Sequence, residues 1–299
     1  MPIWLWILIA IVVVSWLSYL WAWNFLSGIP SISEERQQRL SLHATLYIPG
    51  ILARAKESIS GLDDQSLGVI DVLREQGDIY FVDYAKELFS AERTTNMVLR
   101  KLERLLRDYR DVTIVGVSMG GMIAHDALAS VDRNDRHRIR LILVDSPSGA
   151  SSLGSGGNIF APILRWLPIP IGRGMLLGSL SAPSAAPKDH EIQDGLDKEA
   201  VKRVAKQRLS GFRLRVYLEQ LRYMASFRLC PSNFAGLAGV RYIACTKGNV
   251  TVKQPRARDA WLAAAPRSAT LHYAVEMPHA AFLQQPNLSM RVMRSAFEN

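Results

Sequence analysis

Cysteine is scarce in this chain. Its 299 residues hold two, Cys230 and Cys245. Two cysteines supply neither a disulfide framework nor a zinc-ligand spacing, and the expected reading is a pair of unpaired thiols. Histidine is sparse too, with six residues and no HxH or HExxH pair. A metal site therefore finds no ligand motif, and no metal or organic cofactor is expected. No internal repeat is present, which excludes solenoids and propellers. Charge is missing from the N-terminus: the first charged side chain is Glu34.

What fills that uncharged stretch is apolar. "IWLWILIAIVVVSWLSYLWAWNFL", Ile3 to Leu26, is 24 residues long and carries five of the seven tryptophans. As a helix it would extend about 36 Å, enough to cross the hydrocarbon of a bilayer with some tilt. It has no basic n-region and no A-x-A site follows, so an uncleaved single-span anchor is expected rather than a signal peptide. Arg36, Arg39, Arg54 and Lys56 follow the span and no basic residue precedes it. The positive-inside tendency then leans toward a cytoplasmic location for the rest of the chain.

After residue 43 the pattern alternates. Apolar strands are expected at Ala44–Ile48, Asp78–Tyr84, Asp111–Val117, Arg138–Asp145, Val240–Thr246 and Ala269–Val275. Helical spacing separates them, as in Thr95–Tyr109, where Val98, Leu102, Leu105, Leu106 and Tyr109 form one stripe. Continuous apolar strands alternating with helices predict a mainly parallel sheet covered on both faces. Between Ser146 and Gly239 the rhythm breaks. A Gly-, Ser- and Pro-rich stretch with the apolar segment Ile159–Leu180 precedes two amphipathic helices, near Asp197–Leu209 and Phe212–Leu229. An insertion of that length predicts a lid or binding surface. The chain thus divides into an anchor (1–27), a linker (28–43) and one α/β domain (44–299) with a cap insertion at about 146–239.

"DVTIVGVSMGGMIAHDALA" places one serine between glycines where a buried strand gives way to a helix. G-x-S-x-G in that context puts Ser118 on a sharp turn, its hydroxyl above the C-terminal edge of the sheet. A helix N-terminus there offers amide groups to a developing oxyanion. A serine hydroxyl needs a base. His279, in "AVEMPHAAF" after the last strand, is the candidate. His125 sits seven residues into the serine helix and reads as a polar helix position. His43, His137, His190 and His272 fall in a pre-strand segment, a charged loop, the insertion and a strand.

On these residues the chain resembles the α/β-hydrolase superfamily of serine esterases and lipases, from Ala44 to the end. The elbow Gly116-Val117-Ser118-Met119-Gly120 matches the superfamily pattern in full, and His279 matches by position. The insertion after Asp145 stands where the family carries its cap. The resemblance implies an α/β-hydrolase fold, a mainly parallel sheet with helices on both faces and a helical cap insertion, here preceded by one transmembrane helix. It also implies oxyanion donors at the backbone N–H of Met119 and of Ile51 or Leu52, although "YIPGI" has Pro49-Gly50 where the family has His-Gly. The third triad member departs from the pattern. The family's usual acid lies in the loop after Val240–Thr246, which here reads "TKGNVTVKQPRAR" and offers only Asn249. Pancreatic-type lipases take their acid from the preceding strand end, where this chain has Asp145. Asp145 is the favoured acid, Asn249 the alternative third member as an orienting group, and Glu276 a further candidate.

The insertion is basic. Lys198, Lys202, Arg203, Lys206, Arg208, Arg213, Arg215, Arg222 and Arg228 face only Glu199 and Glu219, in a chain of net charge +9. Beside an apolar N-terminal segment this predicts contact of 198–228 with anionic lipid rather than nucleic acid. A solvated basic face is the plainer reading. The expected function is a membrane-anchored serine hydrolase cleaving small-molecule or lipid carboxylic esters. Thioester or amide hydrolysis, acyl transfer and a non-catalytic binding role on the same fold are the alternatives.

Overall fold

The computed structural model describes residues 2–25, 30–35, 41–51, 53, 55–62, 68–85, 89–154, 187–210, 214–247, 252–265, 270–279 and 282–298. The strands are β1 (Ser31–Glu35), β2 (His43–Ile48), β3 (Asp78–Asp83), β4 (Asp111–Val117), β5 (Ile139–Val144), β6 (Gly239–Cys245) and β7 (Thr270–Val275). The helices are α1 (Ile3–Phe25), α2 (Ala55–Ile59), α3 (Val69–Gln76), α4 (Ala91–Asp108), α5 (Met119–Leu128), α6 (Lys198–Ser210), α7 (Leu214–Ser226), α8 (Gln254–Ala264) and α9 (Pro286–Glu298).

Among the described residues the strands form one seven-stranded sheet in the order β1-β3-β2-β4-β5-β6-β7. Every pairing is parallel except β1 with β3. The chain winds outward from β2 to β3, then returns to place β4 on the other side of β2. That reversal makes the carboxyl ends of β2 and β4 the topological switch point, where α/β sheets place their sites. β4 shows why the layers form. Val112 and Ile114 pack into one core cluster, while Val115 and Val117 pack into the other. Successive side chains of a strand point to opposite faces, so an apolar strand feeds both layers. The first cluster joins α4, α5, α7 and α8, and the second joins α2, α3 and α9. α4 buries Thr94, Val98, Leu102, Leu105 and Leu106, and its N-cap Ser90 hydroxyl accepts from the Arg93 N–H at 3.3 Å. The cap and the stripe satisfy the end and the face of the helix.

Four differences from expectation follow from physical causes. The stretch read as a linker contains β1. It lies at the sheet edge, and its polar sequence Ser-Ile-Ser-Glu-Glu suits a strand with a wet face better than it suits an apolar search. The last helix, expected from its apolar spacing over Ala280–Phe297, begins at Pro286, because proline fits the first turn of a helix. α1 forms, but among the described residues no helix is long and apolar enough to cross a membrane. The expected transmembrane anchor is therefore corrected to a helix without a span. The single-pass membrane localisation and its cytoplasmic lean go with it.

The contact of 198–228 with anionic lipid rested on the same anchor and is withdrawn. α6 and α7 do form where two cap helices were expected. α7 places Val216 and Met224 in the core. Among the described residues, Lys202 meets Asp189 at 2.7 Å and Glu199 at 2.9 Å, and Arg222 meets Glu219 at 2.6 Å. Ile159–Leu180, Leu52 and Asn249 lie outside the described residues.

Candidate active site

β4 ends at Val117, in register with Val144 at the end of β5, and Gly116 stands opposite Ile48 at the end of β2. Three strand ends therefore deliver Pro49-Gly50, Ser118 and Asp145 to one edge. The turn at Ser118 is sharp, with φ 51° and ψ −120°. Such a backbone costs about 1–3 kcal/mol and persists only where its surroundings enforce it. Here the Ser118 N–H donates to Val144 O at 2.8 Å and the Ser118 carbonyl accepts from the Gly121 N–H at 3.1 Å. Gly120 is required sterically, since a Cβ there would sit 2.1 Å from Ile48 O. Met119, fully buried, opens α5 immediately after the turn.

His279 bridges Ser118 and Asp145. Its Nε2 lies 3.1 Å from Ser118 Oγ, and its Nδ1 is hydrogen-bonded to Asp145 Oδ2. A carboxylate can only accept, so Nδ1 carries the proton, which leaves Nε2 to accept from the serine hydroxyl. Asp145 is completely buried and His279 keeps 19% of its side chain exposed. The carboxylate is positioned by backbone and side chain together. Asp145 has φ 52°, and among the described residues Ser118 and Asp145 are the two non-glycine residues with positive φ. The Asp145 N–H donates to Ile243 O at 2.8 Å, and Asp145 Oδ1 accepts from the Cys245 N–H at 3.4 Å.

The next residue, Ser146, is held on both sides. Its hydroxyl donates to Gly116 O at 3.3 Å. Its carbonyl accepts from Tyr242 Oη–H at 3.0 Å and from Trp261 Nε1–H at 2.8 Å. Burial, reinforced by the nearby Asp145 carboxylate, pushes the Tyr242 phenol well above its ordinary value, so it stays protonated and able to donate. Ser146, Tyr242 and Trp261 had no sequence signal. A tryptophan on one helix and a tyrosine in one strand become partners of a carbonyl only through the fold.

Of the other candidates, Ile51 follows Gly50, whose would-be Cβ lies 3.3 Å from Ser118 Cβ, so this loop runs over the serine. Glu276 is exposed, and the His279 Nδ1 bond goes to Asp145. His125 is not the polar helix position expected from sequence. It is buried against Phe227, Phe234 and Trp261. Its Nδ1 meets Asp126 Oδ1 at 3.0 Å, and its Nε2 accepts from the Cys230 N–H at 3.0 Å.

A serine aligned on an imidazole that is itself aligned on a buried carboxylate has the parts for nucleophilic acyl chemistry. Comparison with known proteins bears on the scaffold. No curated protein matches the chain. Solved structures similar to it include an enol-lactonase from Burkholderia xenovorans LB400, at 13% identity and a TM-score of 0.64, covering 90% of this chain and 96% of that one. A thermophilic esterase from Thermogutta terrifontis is similar at 12% identity and a TM-score of 0.61, with 90% and 93% covered. A deformylase from Pseudomonas putida S16 has 19% identity and a TM-score of 0.55, with 90% and 96% covered. At such identities the likeness establishes the fold. The model of the alpha/beta hydrolase family matches residues 69–288, a span that includes Ser118, Asp145 and His279. With most of its length inside that match, the chain belongs to the alpha/beta hydrolase family.

Proposed function

We propose that this protein is a serine hydrolase that cleaves carboxylic esters through an acyl-enzyme on Ser118. The observation that carries the reading is His279, bonded through Nδ1 to buried Asp145 and through Nε2 to Ser118. As Ser118 Oγ attacks the ester carbonyl carbon, its proton passes to His279 Nε2. The carbonyl π pair becomes an oxyanion, which the N–H groups of Met119 and Ile51 stabilise. The Asp145 carboxylate stabilises the imidazolium. The tetrahedral intermediate then breaks its bond to the alkoxy oxygen, which takes the proton from His279 and departs as an alcohol. Water enters, gives a proton to His279 and attacks the acyl-enzyme. The second intermediate returns that proton to Ser118 Oγ and releases the carboxylic acid.

Amide turnover is a second reading, favoured by one finding: the similar folds include a deformylase beside an esterase and an enol-lactonase. Both chemistries use the same three side chains, and the leaving-group pocket separates them. A non-catalytic role is less well supported, because His279 Nδ1 has a carboxylate partner in Asp145 and its Nε2 faces Ser118. The test is turnover of short- and long-chain p-nitrophenyl esters beside the matching anilides, by the wild type and by Ser118→Ala. The ester reading expects ester turnover that the Ala variant loses while its melting temperature stays put. Equal turnover by the two proteins would end it, and anilide turnover exceeding ester turnover would replace it with the amide reading.

A further inference from the structure

The loop that runs over Ser118 has an unusual source of rigidity. Tyr84 follows β3, is buried, and donates its hydroxyl proton to the carbonyl oxygen of Pro49 at 2.5 Å. That same oxygen lies against the elbow helix, since a Cβ on Gly120 would approach it to 2.6 Å. The Pro49–Gly50 peptide is thus pinned between Tyr84 and the first turn of α5. Burial pushes the Tyr84 phenol well above its ordinary value, so it remains a donor across the working pH range. The ring is braced as well: it packs edge-on against Phe89, centroids 5.6 Å apart, and Phe89 packs against Tyr223 of α7 at 6.1 Å.

The consequence lies one peptide further on. A peptide unit is planar, so fixing its carbonyl fixes its amide. Only the φ and ψ of Gly50 separate the pinned unit from the next one, which carries the Ile51 N–H. Glycine is the residue least able to hold those angles by itself. It stands there because the loop passes so close to Ser118, where a Cβ would be 3.3 Å from Ser118 Cβ. Close approach therefore demands glycine, and glycine demands an external restraint.

We propose that Tyr84 is a positioning residue for the oxyanion hole, its hydroxyl holding the Pro49 carbonyl so that the Ile51 amide is preset toward the tetrahedral intermediate. The inference rests on the serine-hydrolase reading above. Preset donors matter most where charge develops, so the effect belongs to the transition state and not to substrate binding.

The experiment uses the full chain and Tyr84→Phe, which keeps the ring on Phe89 and removes one oxygen. Wild-type protein is first labelled with a fluorophosphonate. Absence of labelling would defeat the serine-hydrolase reading and this proposal with it. Given labelling, kcat and KM for a p-nitrophenyl ester are measured beside inhibition by an alkyl boronic acid, which forms a tetrahedral adduct, and by a planar ketone analogue. The expected result is a kcat lower by about 10-fold or more, short of the ~10²–10³-fold lost with an outright donor deletion. The boronate Ki should rise by a similar factor, with KM and the ketone Ki within about twofold of wild type. 4-Aminophenylalanine at position 84, which again carries a donor, should recover part of the loss. If Tyr84→Phe cannot be purified, Tyr84→Leu is read against the same pattern. Wild-type kcat in a labelled variant would overturn the proposal alone. A parallel rise of KM, ketone Ki and boronate Ki would also overturn it, because that pattern marks a packing role.

Discussion

At the scale of single residues, the site turns on where the acid comes from. A carboxylate on His279 Nδ1 selects the tautomer whose Nε2 can accept from Ser118, and it stabilises the imidazolium that forms. An amide would do only part of that. Asp145→Asn should therefore keep the fold and lower kcat by up to about 10⁴-fold, while Asn249→Ala should cost far less. Stopped-flow or steady-state kinetics with circular dichroism on both variants decides it, and an active Asp145→Asn would remove the acid from the account. His279→Ala should lose about 10⁴-fold or more, since the three groups act as a unit. Ser118 and His279 were legible in the sequence because a motif and a chain order carry them. Asp145 was legible only as one of several candidates. Its claim on His279 depends on β5 lying beside β4 and on a φ of 52°, neither of which is written in local sequence.

Among the elements, the turn after β5 is fixed by helix α8 and strand β6. Trp261 and Tyr242 both donate to the Ser146 carbonyl. Trp261→Phe keeps most of the buried ring and removes one donor. It should lower stability by about 1 kcal/mol and reduce kcat by less than Asp145→Asn does, measured by denaturant titration and ester turnover. β1 gives a second element-scale prediction. Burial opposes ionisation of the Glu35 carboxyl, but hydrogen bonds from Lys56 and Arg74 win and hold it below its ordinary 4.5. A carboxyl lowered in the folded state stabilises at pH values above its unfolded value and loses that contribution as pH falls. Glu35→Gln should therefore melt below wild type at pH 7, with the gap closing as pH drops below about 4.5 toward the folded value. A constant gap from pH 7 to pH 3 would show that packing, not charge, is responsible. β1 itself was invisible to a search for apolar strands, because an edge strand needs no buried face on both sides.

Across the whole molecule, sequence pattern located the parallel sheet well because its strands are buried on both faces and read as continuous apolar runs. It located α4 and the two insertion helices by a different signal, their apolar stripes at helical spacing. It overreached at the N-terminus. An uncharged run of 24 residues says that a helix will form, and α1 does form, but a membrane span is a further claim that the described residues do not carry. The order β1-β3-β2-β4-β5-β6-β7 is a property of the assembled sheet. It brings residues 49–51, 118, 145 and 279 to one edge, although they are spread across most of the chain.

The account stands or falls on whether Ser118 is an activated nucleophile. Full-length protein treated with a fluorophosphonate, digested and examined by peptide mass spectrometry tests this directly. Labelling requires the hydroxyl to surrender its proton to His279 and displaces fluoride from phosphorus. The account predicts one adduct, on the peptide containing Ser118, that disappears in His279→Ala although the variant remains folded. An unlabelled wild type, or an adduct on Ser118 that forms equally fast without His279, would contradict it.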